Sequence, residues 1–431
     1  MLINELFMAL HSLKHKTNSA VSTSEHDLSV LHTQSDLPFC EKTNAANRTK
    51  AVSKFELWAA RIGFFTGGFT VASWAPLIPF VQSKLALEPY VLGFLLLGLG
   101  VGSFVGMPLA GTLTQRLGAR NAIALSGLAS CLLLVLLALM PGFYFECLAL
   151  LAYGVALGCL EVSVNIYGTY LENRQKSRLM SGLHAAYSIG EVASAAALTA
   201  LFVSGFAPIT AVGFLMIVLA LVLIAILRKI ENTKLEAPKK EKTGKIRFSL
   251  LGPIGVLAVI CGVIFLAEGA MLDWSAIYLR DNAGVPQEAS AFGYTLFVIA
   301  MAISRLTGDR LTTKLGPQAV LTIGTLLILV TLLALVFIPH PIAAFASLFV
   351  MGLGIANLAP ILISAASRTN SMDSVKAITA VTTVGYGGLL AGPALIGAIS
   401  SAVSLQGAFL FICALLTMGL VMIKRHQSVF N

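Results

Sequence analysis

Twelve apolar runs, each long enough to cross a bilayer, decide most of what this 431-residue chain can fold into. A spanning helix needs about 20 predominantly apolar residues to cross a hydrocarbon core about 30 Å thick. The runs lie at 57–81, 91–113, 121–140, 143–170, 181–203 and 208–228, and then at 251–279, 286–306, 318–338, 341–367, 376–400 and 404–425. Hydrocarbon offers no partner to a backbone N–H or C=O, so segments of this length must satisfy their own backbone and are expected as helices. The fold class that follows is an all-α integral membrane protein with twelve transmembrane helices. Only 11% of the residues are charged, against roughly a quarter in an ordinary soluble domain, which leaves little room for a separate catalytic domain.

The runs fall into two sets of six, and the polar stretches between and around them set the expected domains. Residues 1–55, rich in Ser, Thr, Asn and His, are expected as a disordered cytoplasmic tail. Its apolar start, Met1 to Leu10, is too short to span and lacks both a basic leader and a nearby small-residue cleavage site, so a cleaved signal peptide is not expected. A first bundle at 56–228 is followed by a linker at 229–248 that holds Lys229, Lys234, Lys239, Lys240, Lys242 and Lys245. A second bundle at 249–425 precedes a short tail at 426–431.

Placing both termini in the cytoplasm leaves only Lys84 and Arg280, of 29 Lys and Arg, on outer loops. Cytoplasmic loops retain basic residues during insertion, so this is the expected topology for a multi-pass protein of the cell inner (plasma) membrane. The net charge of +9 is divided among these loops and forms no basic face, so nucleic acid is not an expected partner. Six cysteines lie far apart without a Cys-x-x-Cys pair and read as packing residues; no metal site and no cofactor is expected. No nucleophile with a base, and no phosphate loop, occurs at a usable spacing, which speaks against an enzyme.

The two sets of six also resemble each other. Gly111 to Arg120 reads Gly-Thr-Leu-Thr-Gln-Arg-Leu-Gly-Ala-Arg, and Asp309 to Gln318 reads Asp-Arg-Leu-Thr-Thr-Lys-Leu-Gly-Pro-Gln. Gly118 and Gly316 are 198 positions apart, and the same shift carries Gly190 and Ser194 onto Gly388 and Gly392. Ser73-Trp74-Ala75 and Asp273-Trp274-Ser275 match at a shift of 200. Two halves related by an axis along the membrane normal are therefore expected.

Over roughly residues 55 to 425 the chain resembles the major facilitator superfamily. Gly111, Arg116, Gly118 and Arg120 match that family's Gly-x-x-x-Asp-Arg-x-Gly-Arg loop, but Gln115 stands where the acid belongs, so the usual charge latch of the first half is missing. In the second half Arg305, Asp309, Arg310 and Lys314 are denser, and Arg305 and Asp309, four apart, are placed to pair on one helical face. The resemblance implies a cytoplasmic gate built from these residues. Glu161 with Asn165, Ser181-Gly182-Leu183-His184, and Glu268 with Asp273-Trp274 resemble the fucose-permease-like branch. That branch implies proton-coupled solute transport through one central cavity that opens alternately to each side. The fourth span lacks the buried arginine of drug–proton antiporters and the fifth lacks their Gly-Pro turn, which takes weight from multidrug efflux, although Gly392-Pro393 occurs in the eleventh.

An ionisable side chain in hydrocarbon costs about 2.5 kcal/mol or more, so each one implies a cavity, a partner or a task. Glu161 and Asn165 are one turn apart and share a face that suits a polyol; the plainer reading is a hydrogen bond that fixes packing. His184 and Glu191, seven apart, are placed to pass a proton inward over about 10 Å. For His184 the simpler reading is the membrane surface, against a loop with Arg174, Lys176 and Arg178. Glu268 and Asp273 sit roughly 140° apart around a helix, so one cavity does not receive both. Glu268 is the first choice for a titrating group, and Asp273 belongs nearer the outer gate. Trp74 and Trp274 have the matching positions of an interfacial belt, with sugar stacking as the sharper alternative. Asn357, three before Pro360, is a further cavity candidate.

The expected function is proton-coupled secondary transport, by symport, of a small polar, sugar-like solute by a monomer in the lipid bilayer. Desolvation favours the neutral form of a carboxyl group, which lets proton and solute share a site. Export of an amphipathic compound by proton antiport, and a non-transporting sensor or scaffold that keeps the fold, are the competing readings.

Overall fold

The computed structural model describes residues 51–139, 142–175, 179–235, 252–369 and 374–427. The expected tail up to residue 50, most of the linker (236–248), residues 249–251 and residues 428–431 lie outside the described residues. No strand occurs among the described residues, and twelve helices are long and apolar enough to cross a membrane.

The helices of the first half are α1 (Lys54–Leu85), α2 (Pro89–Leu117), α3 (Ala119–Leu139), α4 (Phe143–Gln175), α5 (Met180–Val203) and α6 (Pro208–Leu227). Those of the second are α7 (Pro253–Asp281), α8 (Gln287–Leu315), α9 (Pro317–Phe337), α10 (Pro341–Ala366), α11 (Ser374–Ala402) and α12 (Leu405–Arg425). Proline opens α2, α6, α7, α9 and α10, where its missing N–H removes no helical hydrogen bond. Several helices outrun their apolar segments. α4 continues to Gln175 rather than ending near 170, because a helix does not stop where hydrocarbon does.

Among the described residues two helices are interrupted. α1 tightens into a 3-10 turn at Ala75–Leu77, where Pro76 and, just beyond, Pro79 withhold two backbone donors. α10 breaks between Ile355 and Leu358, and Pro360 is unable to donate to the carbonyl four residues back, at Ala356.

The two halves repeat each other's packing. α1 lies on α5 as α7 lies on α11; α2 lies on α4 as α8 lies on α10; α3 lies on α6 as α9 lies on α12. Across the halves α2 meets α11 and α5 meets α8, which is again one contact made twice. The repeat extends to atoms. A methyl group at Gly190 would fall 2.3 Å from the Phe65 carbonyl oxygen, and one at Gly388 would fall 2.2 Å from that of Gly262. Only glycine permits either crossing. Of their most apolar windows, 83% of α1 and 78% of α7 are enclosed by protein, against 28% of α6, so α1 and α7 are interior helices and α6 is peripheral.

One end of the bundle carries the α2–α3 and α8–α9 loops with Arg116, Arg120, Arg310 and Lys314, and is called the basic end below. Gly118 and Gly316 turn these two loops with nearly the same backbone, φ 85° and ψ 157° against φ 83° and ψ 153°. Side-chain-bearing residues rarely adopt that conformation.

Candidate functional site

The seam between the halves is where ionisable side chains meet. Glu161 and Asn165 come from α4, Tyr187 and Glu191 from α5, Phe265, Glu268 and Asp273 from α7, Tyr294 and Arg305 from α8, and Tyr386 from α11. Arg305 Nη1 lies 3.9 Å from Glu191 Oε2 and donates to Ser188 Oγ at 3.4 Å, so it bridges the halves. Glu191 is in electrostatic reach of Arg305, Glu268 and Glu161. Tyr386 feels both Glu161 and Glu268, and its ring packs on Phe265 with centroids 5.5 Å apart. Tyr294 feels Glu191, Glu268 and Asp273. Carboxylates from three helices and both halves therefore share one neighbourhood, with three tyrosines around them.

Among the described residues, no hydrogen bond or ion pair reaches the carboxylates of Glu161, Glu268 or Asp273, and their oxygens are not among the sealed polar atoms. All three residues are half-buried. An unpaired carboxylate is tolerated inside a membrane protein where it meets a cavity or water. Glu146, at the start of α4, shows the contrast: it is 1% exposed, with a sealed, unpartnered Oε1, and lies away from this cluster in electrostatic reach of Lys84.

Several sequence expectations meet a different arrangement. Asn165 donates from Nδ2 to the Glu161 carbonyl at 2.8 Å, a brace within α4 rather than a bond to another helix. His184 is exposed, sets its ring edge-on to Phe64 at 5.2 Å and feels Arg305, whereas Arg174, expected beside it, pairs with Glu56 at 2.6 Å. Lys176 and Arg178 lie outside the described residues. Trp74 and Trp274 are only 2% and 0% exposed. Neither ring offers a face to a cavity or an edge to the membrane surface, because the α1 and α7 positions they occupy are interior. Asn357 is also no cavity group here. The break in α10 turns it toward α8, where Nδ2 donates to the Ser304 carbonyl at 3.1 Å and to Ser304 Oγ at 3.0 Å.

At the basic end, Gly111 is half-buried, Arg116 and Arg310 are exposed, and the Asp309 side chain lies outside the described residues. The first-half loop is held by the segment after α6. Asn232 donates from Nδ2 to the Leu117 carbonyl at 2.6 Å, Ala119 N donates to the Thr233 carbonyl at 2.8 Å, and Arg120 Nη1 donates to the Ile230 carbonyl at 3.3 Å. A methyl group at Gly118 would fall 2.2 Å from Asn232 Oδ1, whereas one at Gly316 would meet nothing within 4 Å.

The seam is closed at the opposite end. There Tyr90 N donates to Ser401 Oγ at 2.8 Å, the Thr199 and Thr295 hydroxyls lie 3.1 Å apart, and Arg280 reaches across to α1. Toward the basic end the series of bonds across the seam stops, among the described residues, at Arg305. Tyr386, which faces the acids, is 46% exposed, and a methyl group at Gly387 would meet nothing within 4 Å, so space is left beside α11 there. Nothing in the sequence marks Tyr187, Tyr294 and Tyr386, because a tyrosine inside an apolar run reads as bulk. In the sequence Arg280 reads only as a loop charge.

A twelve-helix bundle of two like halves, with acids gathered on the seam and one end parted, defines a secondary-transporter fold. The family model of the Major Facilitator Superfamily matches residues 61–371 and 263–428. The chain belongs to this superfamily. An uncharacterized MFS-type transporter of Yersinia pestis is 37% identical over 351 residues, covering 81% of this chain and 90% of that one. Among solved structures, the D-xylose-proton symporter superposes with a TM-score of 0.67 at 14% identity, covering 85% of this chain and 96% of that one. A bacterial homolog of the human lysosomal transporter Spinster, in an inward-facing and unoccupied conformation, gives 0.68 at 15% identity, covering 88% and 98%.

Proposed function

We propose that this protein moves a small polar, sugar-like solute by alternating access, coupled to protons, and that it stands here in the state open to the cytoplasm. The cytoplasmic side is taken as the basic end, by the distribution of Lys and Arg. The observation that carries the reading is the gathering of Glu161, Glu191 and Glu268 at the seam, opposed by Arg305 alone among the residues described there. Carboxylates without partners are groups to which protons bind, and hydroxyl-bearing solutes are the ligands they accept hydrogen bonds from. A cavity with one acid in an apolar lining would favour export of an amphipathic compound. Three acids, Asp273 beyond them and three tyrosines favour the polar solute instead.

In this scheme a proton loads a seam carboxylate from the outer side, removes its desolvation penalty, and permits the loaded cavity to switch inward. The fold shared with a D-xylose-proton symporter and the fucose-permease-like pattern of Glu161, Asn165, Glu268 and Asp273 agree with this scheme. A thermal-shift screen of the purified protein against sugars, sugar acids and drugs identifies the solute, since a ligand of the native state raises apparent stability. Proteoliposome uptake of that solute is then expected to rise severalfold under an inward proton gradient, and Glu268→Gln to abolish the dependence. Uptake that is indifferent both to the gradient and to neutral substitution of all three glutamates rules the coupling out.

A further inference from the structure

We infer that Arg280 is the lock of the end opposite the basic one, and that its release from α1 is the step that opens the transport path there; this rests on the transport reading above. Arg280 lies in the last turn of α7, in the second half. Its guanidinium crosses to α1 of the first half, where Nη1 donates to the Pro79 carbonyl at 3.1 Å and to Ser83 Oγ at 2.9 Å, and Nη2 donates to Gln82 Oε1 at 2.6 Å. From its own side Asp281 holds it, with Oδ1 2.5 Å from Nε and Oδ2 2.9 Å from Nη2. The fork is thus filled on both edges.

The local sequence of α1 explains the acceptors. The 3-10 turn at Ala75–Leu77, with Pro76 and Pro79 beside it, re-aims the last turns of α1 so that one carbonyl and two polar side chains face α7. Ser83 continues the chain of bonds by donating from Oγ to Gln287 Oε1 on α8 at 3.0 Å. Among the described residues the other hydrogen bonds across the seam at this end are single neutral ones, Tyr90 to Ser401 and Thr199 to Thr295, beside the apolar crossing of α2 and α11 at Gly93 and Gly397. Hydrogen bonds from a guanidinium are roughly twice as strong as neutral ones, and a planar fork reaches several acceptors where an ammonium serves fewer. Alternating access requires this end to part, and parting it breaks all three bonds from Arg280 to α1.

The test is hydrogen–deuterium exchange with mass spectrometry on the full chain in nanodiscs, comparing wild type with Arg280→Ala and Arg280→Lys. For Arg280→Ala we expect exchange about tenfold faster at residues 79–90 and also at 393–402 of α11, which Arg280 does not touch, together with slower exchange at 183–190 as the basic end closes. Arg280→Lys is expected to restore only part of the protection. An increase confined to 79–83, or none, overturns the proposal, because a merely local contact would behave in that way. If Arg280→Ala does not fold, the double variant Gln82→Ala with Ser83→Ala removes two of the acceptors and must give the same coupled pattern. Exchange needs no solute, so a coupled pattern in a protein that carries nothing into liposomes would sink the transport reading and leave the lock standing. Uptake without the pattern would do the reverse.

Discussion

The two halves share a scaffold and differ in what they hang on it. The crossings α1 on α5 and α7 on α11 close on Gly190 and Gly388 at nearly the same approach, and Gly118 and Gly316 turn the two basic-end loops with nearly the same backbone. Yet Asn232 packs against Gly118 in the first-half loop while, among the described residues, a methyl group at Gly316 would meet nothing within 4 Å, and the guanidiniums that reach across the seam, Arg305 and Arg280, both belong to the second half. The first half supplies Glu161 and Glu191 and receives those cations. Backbone proximity is what the repeat conserves, because it is set by chain geometry. Charge is free to differ, because side chains can be replaced without moving a helix.

The largest effects should come where the halves are alike. Gly190→Val and Gly388→Val each force a branched side chain against a carbonyl oxygen little more than 2 Å away, and overpacking of this kind costs about 1–3 kcal/mol, with an approach this close at the upper end. We expect both variants to lose most of their thermal stability in detergent, and to a similar degree. A large loss at one position only would mean that the two crossings do not play the same part. Valine is the harsher probe, since its branch cannot turn away as a longer unbranched chain does.

How far the sequence reaches follows the same division. The 198-residue offset, read from Gly118 with Gly316 and Gly190 with Gly388, predicts paired crossings and paired turns, and both are present. Helix crossings are legible because close approach admits so few residue types. Glu161, Glu191 and Glu268 are legible as candidates because acids are rare in apolar runs, and the structure brings them into one neighbourhood. Facing is not legible. The sequence places Trp74 and Trp274 at an interface or in a cavity, yet they lie in the core, since a span end read from hydropathy says nothing about which helices enclose it. Asn357, three before Pro360, reads as a cavity group, but a broken helix first has to satisfy its own polar groups, and Ser304 does that. The part played by Arg280 depends on the bend in α1, which no pattern in the second half announces.

A smaller effect should separate the loops. Gly118→Ala and Gly316→Ala both place a Cβ on a backbone with positive φ, which costs about 1 kcal/mol or more wherever it occurs. Gly118→Ala adds a clash with Asn232 that Gly316→Ala lacks. The first variant should therefore lower the melting temperature by about twice as much as the second. Equal shifts would mean that the segment after α6 moves aside without loss, and the asymmetry between the loops would carry no energy.

The finest test concerns that segment alone. Asn232→Ala removes the bond to the Leu117 carbonyl and the weaker one that Asn121 N donates to Oδ1 at 3.4 Å. Water reaches this exposed carbonyl and replaces the lost donor, so the expected cost is only about 0.5–1 kcal/mol. The backbone bond from Ala119 to Thr233 and the burial of Ile230 and Leu235 remain, and they should keep the segment docked. Exchange at 230–235 should then rise severalfold without reaching the rate of a free chain, while the α8–α9 loop is unchanged. Exchange at the free-chain rate would show that Asn232 alone holds the segment. In that case a single uncharged side chain does in the first half what Gln115, standing in the acid's place, does not.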